Sequence, residues 1–248
     1  MKTLLFVLVA LIVALVPMLL ATPAVAEQEA EAIEVLKKVD AAIKAVDSVK
    51  FDVEMTPSGI ATTRTGPAKG TVIIQGYNGQ MPERFRVDLE MSRPGTEGLV
   101  KLSASGNGEE FVLIDHTTKK SYADMDPAVL GSAQNALFGV AMIEFVHDHP
   151  FDDELGGDVV ELLGMETIGD EECYKIRVIY SGGQGESIWS FSKEDYLPRK
   201  RVQVFSTPQG DGGIERTISN LEVGYEGDAA TFAMKLPAGY EQIDDFAP

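Results

Sequence analysis

His147 and His149, in the stretch HDHP, stand beside Asp148, Asp152 and Asp153. Two imidazoles and nearby carboxylates could hold a zinc ion, and zinc could activate water. H-x-H is a loose signature in a chain with 39 acids, and a helix end also favours a His. A metal-dependent enzyme at His147 and His149 is kept as an alternative, and no metal site is assigned. Asp115-His116 with Ser121 raises acyl transfer. That chemistry needs a Ser on a sharp turn beside backbone donors, and no G-x-S-x-G is present. Cys173 shares strand parity with Lys175 and Arg177, two bases that could lower its pKa. Without a C-x-x-C or a neighbouring His, a part-buried structural thiol is the preferred reading. Neither a catalytic residue nor a cofactor is expected.

The elements that would carry these residues show two periods. Glu27 to Val46 reads as a helix, with Ile33, Leu36, Ile43 and Val46 as a narrow apolar stripe and Glu34 placed to pair with Lys38. From Val49 the period becomes two: Val49, Phe51, Val53 and Met55 alternate with polar residues. Further strands are expected at Thr71–Gln75, Arg84–Met91, Gly98–Ser105, Glu110–Asp115 and Lys120–Met125. Asn78-Gly79 and Asn107-Gly108 suit the left-handed turns between hairpin strands. Asp126-Pro127 then caps a second helix to about Val146, carrying Val129, Leu130, Leu137, Phe138, Met142 and Phe145. Its polar face is weak, so it is buried on most sides or faces a cavity. Strands resume at Asp158–Met165, Cys173–Tyr180, Ser187–Ser192, Leu197–Ser206 and Ile214–Val223, and Phe232–Leu236 is expected to close the sheet. The fold class is α+β: a strongly curved antiparallel sheet, with helices on its concave face.

Met1-Lys2-Thr3, the apolar run Leu4–Leu20 and Ala24-Val25-Ala26 together read as a secretory signal over residues 1–26. Residues 27–248 then form one domain, periplasmic or otherwise exported; an uncleaved membrane anchor is the other reading of the leader. A single cysteine permits no internal disulfide. The net charge of −18 repels phosphate backbones, so no nucleic acid partner is expected.

Several ordered motifs resemble the outer-membrane lipoprotein carrier superfamily (LolA/LolB-like). They are the helix leading into Val46-Asp47-Ser48-Val49-Lys50-Phe51-Asp52-Val53, Gly70-Thr71-Val72-Ile73-Ile74 before Pro82-Glu83-Arg84-Phe85-Arg86-Val87, and the span Gly108 to Tyr122. Asp195-Tyr196-Leu197-Pro198-Arg199-Lys200 is similar to the family's L-P-R turn. Ser219-Asn220-Leu221 and Phe232-Ala233-Met234-Lys235-Leu236-Pro237-Ala238-Gly239-Tyr240 resemble its closing segment. The resemblance implies a half-open β-barrel (an incomplete barrel) with helices as a lid over an apolar cavity. The family Arg before the second hairpin's Pro is here Met81, with Arg84 and Arg86 the nearest bases.

The expectation is a non-catalytic periplasmic carrier of lipoprotein acyl chains or another hydrophobic ligand. Its partners would be an acylated lipoprotein or lipid, with membrane-bound donor and acceptor proteins. Each methylene kept from water is worth about 0.8 kcal/mol, so shielding a long chain needs apolar area and no reactive group. Alternation assigns Val72, Ile74, Phe85, Val87, Leu113, Trp189 and Phe191 to the lining, with Leu137, Phe138 and Met142 from the apolar helix. A one-residue slip would turn any strand member outward. The alternative within the same fold is a protein-interaction or lipid-sensing module whose cavity is filled.

Overall fold

The computed structural model describes residues 23–77, 82–124 and 143–243. Helix α1, Pro23–Lys44, runs across the expected cleavage position. Ala32, Val35, Leu36, Val39 and Ile43 form its buried face, as a period of 3.6 dictates. Glu34 pairs with Lys37 at 2.7 Å, not with Lys38. The Lys38 ammonium instead sits 5.3 Å from the Tyr196 ring centroid.

Six strands follow: β1 Ser48–Gly59, β2 Ala68–Tyr77, β3 Pro82–Ser92, β4 Leu99–Gly106, β5 Phe111–Asp115 and β6 Lys120–Asp124. After the short helix α2, Asp152–Leu155, come β7 Val159–Ile168, β8 Glu171–Ile179, β9 Glu186–Ser192, β10 Pro198–Thr207 and β11 Gly210–Val223. Helix α3, Ala229–Phe232, and strand β12, Glu241–Gln242, end the described chain. All twelve strands join one curved sheet in the order β12-β6-β5-β4-β3-β2-β1-β11-β10-β9-β8-β7. Every pairing is antiparallel except β12 with β6. The order does not return on itself, so the barrel is half-open, as the sequence predicts.

Register sorts the two faces. The inner rows run Phe51↔Val72↔Val87↔Ala104↔Leu113↔Tyr122 and Val49↔Ile74↔Phe85↔Gly106↔Phe111. Their side chains and the α1 stripe make one core. The outer rows are polar, such as Glu54↔Lys69↔Glu90↔Lys101. Gly70 is needed for packing: a Cβ there would collide with the Asp88 carbonyl and the Leu89 side chain. At the β4–β5 turn the Asn107 Oδ1 accepts from the Glu109 and Glu110 amides, and Gly108 takes φ 89°.

The expected closing strand at Phe232–Leu236 is not one. Asp228 caps the turn of α3, its Oδ1 accepting from the Thr231 amide at 2.8 Å, and Phe232 ends that turn buried. Residues 224–243 cross the outer face instead. They begin beyond β11, touch β3 where Arg86 Nη1 donates to the Thr231 carbonyl at 3.3 Å, and finish as β12 on β6. Register turns Ile73, Val112 and Ile114 to that face, yet all three are buried.

Candidate functional site

Val72, Ile74, Phe85, Val87, Leu113, Trp189 and Phe191 all lie on the inner face and are buried in the core. Strand β9 sets the last two, with Trp189 opposite Ile176 and Phe191 opposite Tyr174. Residues 143–155 press on the same face. Phe151 meets the Trp189 and Phe191 rings edge-on at 5.3 and 5.4 Å, and Phe145 lies 5.4 Å from Phe51. Leu137, Phe138 and Met142 lie outside the described residues, as do Met81 and most of the span where a second helix is expected.

A charged group on this face was not expected. In β10 the register places Arg201 opposite Trp189 on one side and opposite Arg216 of β11 on the other. Arg201 and Gln203 therefore face inward, while Val202 and Val204 face out. Arg201 Nη1 donates to Glu144 Oε1 at 2.7 Å, its Nε to Ser187 Oγ at 3.2 Å, and its Nη2 to the Tyr180 hydroxyl at 3.2 Å. Its guanidinium carbon stands 4.4 Å from the Trp189 ring centroid. Tyr180 donates in turn to Glu154 Oε1 at 2.6 Å. Burial pushes the Glu154 carboxyl above its ordinary range and the Tyr180 phenol up to about 12. Arg216 Nη1 donates to Gln203 Oε1 at 2.8 Å. Burial first, and then the charge of Arg201, lower the Arg216 guanidinium to about 10. The signal was partial: Trp189 fixes the face of β9, but a bulge between Pro198 and Lys200 shifts the register by one and hides Arg201 from simple counting.

The reactive residues go elsewhere. His149 Nδ1 lies 3.2 Å from Asp152 Oδ2, and His147 Nδ1 accepts from the His149 amide at 3.0 Å. Among the described residues no three His, Cys, Asp or Glu side chains gather as a metal-ligand set. His116 does not reach Ser121: its Nε2 is 3.0 Å from Ser103 Oγ and its Nδ1 3.2 Å from the Tyr240 hydroxyl. Asp115 accepts from the Thr117 and Thr118 amides, and Ser121 Oγ donates to the Glu241 carbonyl. Cys173 is fully buried, and that burial raises its thiol to about 11. The bases Lys175 and Arg177 do not activate it: they pair with Glu166 and Glu186.

The outer face carries an open groove of about 650 Å³ over β1–β4. Asp52, Thr71, Asp88 and Ser103 form its floor, and these groups bond one another. Thr71 Oγ1 donates to Asp52 Oδ1 at 2.7 Å and Ser103 Oγ to Asp88 Oδ1 at 2.5 Å. The groove is thus polar and internally satisfied, unlike the inner face.

The model of the family described as "Predicted periplasmic protein (DUF2092)" matches residues 32–245. The chain belongs to this family. The matched span takes in every described strand. Curated proteins give no match. Among solved structures, the lipoprotein LppX of Mycobacterium tuberculosis is similar over 81% of this chain and 100% of its own, at 13% identity and TM-score 0.49. A chain of the MucA/MucB complex of Pseudomonas aeruginosa is similar over 83% of this chain and 61% of that one, at 10% identity and TM-score 0.47. A LolA superfamily protein of Nitrosomonas europaea is similar over 82% of this chain and 97% of that one, at 12% identity and TM-score 0.36. Among the described residues of this family member, no helix is long and apolar enough to cross a membrane.

Proposed function

We propose that the protein is a non-catalytic periplasmic carrier of acyl chains or another hydrophobic ligand. The ligand is held between the inner face of the curved sheet and the helix expected from Val129 to Phe145. One observation carries the reading: seven residues chosen from alternation all stand on one apolar face of a sheet that does not close. Membership of a predicted periplasmic family supports the compartment. An aqueous compartment makes shielding necessary, since each exposed methylene costs about 0.8 kcal/mol.

Protein purified from the periplasm is expected to release acyl lipid on solvent extraction, and native mass spectrometry to show its added mass. Protein that never carries lipid, and takes none up from micelles, would refute the carrier. Leu137→Glu is expected to abolish uptake while circular dichroism of the sheet is unchanged. A second reading, an interaction module, draws on edge strand β7, where Val159, Leu163 and Met165 are 39%, 42% and 44% exposed. Such an edge can accept another strand.

A further inference from the structure

The inner face is already covered by a piece of the chain itself. The 143–155 segment touches it in two places. At one end the turn Ile143–Val146 sets Phe145 against Phe51, with ring centroids 5.4 Å apart. At the other end Phe151 stands edge-on to Trp189 and Phe191 and is wholly buried. Between them His147, Asp148 and His149 are exposed. Each aromatic contact is matched by a buried acid. Glu144 Oε1 accepts from Arg201 Nη1 at 2.7 Å. Glu154 Oε1 accepts from the Tyr180 hydroxyl at 2.6 Å and lies 3.9 Å from Arg201 Nη2. One arginine of β10 thus faces the acids of both ends. Among the described residues the backbone of the segment forms no ladder with a strand, so lifting it breaks no hydrogen bond of the sheet.

We propose that Phe145 and Phe151 are resident occupants of the ligand's place: they fill the apolar inner face of the unloaded protein, and an entering acyl chain displaces them. The inference rests on the carrier reading and adds its regulation, a built-in competitor that sets the affinity. A carrier that left this face bare would expose apolar area at about 25 cal/mol per Å². Two aromatic plugs remove that cost, but they must sit in one place and still come away. The acids and Arg201 suit both needs. Buried ion pairs fix a position, while the cost of taking the charges out of water offsets much of their attraction. Apolar side chains at 144 and 154 would hold the segment at least as firmly. The ligand's apparent affinity is then lowered by the fraction of protein whose segment is closed. Shortening a plug therefore tightens binding, whereas shortening a true lining residue weakens it.

Delipidated protein is titrated with cis-parinaric acid, whose fluorescence rises on burial, and amide hydrogen exchange is followed by mass spectrometry with and without it. In the unaltered protein, bound probe is expected to speed exchange of the 143–155 amides about tenfold while slowing that of β2 and β3. Phe151→Ala is expected to bind the probe about tenfold more tightly, and Phe191→Ala to bind it about tenfold more weakly. Glu144→Gln keeps an acceptor for Arg201 but not the charge, and is expected to tighten binding about threefold. Probe that binds the unaltered protein while 143–155 exchange is slowed or unchanged, a comparison that needs no variant, would overturn the displacement and leave the carrier standing. Weaker binding by a folded Phe151→Ala protein would do the same. A probe that fails to bind the unaltered protein at all would remove the carrier, and the displacement with it.

Discussion

Arg199 shows how one buried cation can hold a turn. It is almost wholly buried, with Nη2 2.8 Å from Glu171 and 2.7 Å from Asp195, and Nη1 donating to the Leu197 carbonyl at 3.3 Å. Arg199→Ala is expected to cost on the order of 2–3 kcal/mol in urea unfolding, less than for a fully buried pair because both carboxylates are part-exposed. The same arginine holds the Glu171 carboxyl below its ordinary range. That stabilisation is present above the unfolded value and fades as pH falls through the folded one. Glu154 has the opposite sign, since burial raises its carboxyl. Its cost is absent below the unfolded value and grows as pH rises through the folded one. Glu154→Gln still accepts from Tyr180, so it is expected to raise the melting temperature at neutral pH, with the gain vanishing in acid. A neutral-pH melting temperature below that of the unaltered protein would reverse this account.

Strands were legible wherever one face is apolar and the other polar. Val49 to Met55 and Arg84 to Met91 show this, and β1 and β3 extend them by only a few residues at each end. Alternation misleads in two places. In β10 the apolar Val202 and Val204 face out, because β9 and β11 on either side leave the inner positions to Arg201 and Gln203. At Phe232–Leu236 a strand-like pattern meets the Asp228 cap, and a local turn wins over a pairing that would need a free edge. The candidate lining was readable as hydrophobic parity. Its charged neighbours were not, since their contacts join strands to the 143–155 segment and span many residues. Element geometry also makes Gly70 testable. Gly70→Ala must push β2 from β3 or displace Leu89, and is expected to cost about 1–3 kcal/mol by thermal unfolding. A neutral result would mean the two strands separate freely at that point.

At the scale of the molecule, the 224–243 segment gives the sheet a second apolar cover on its outer side. Ending the chain at Val223 is expected to expose Ile73, Val112, Ile114 and the β6 edge. At about 1.5–3 kcal/mol per buried aliphatic side chain the loss is several kcal/mol, visible as dye binding and early melting. Unchanged melting of the shortened chain would show that the segment is ornamental. The middle of the sheet holds a different consequence. Strand β1 lies between β2, its near neighbour, and β11, which pairs Val53 with Ile218 across most of the chain. Closing so long a loop is slow, because the entropy is lost before the contact forms. The seam cannot be zipped until β11 has been made, so the chain up to that strand stays pliable. For a member of a predicted periplasmic family, a sheet that sets only once β11 is present favours export before folding.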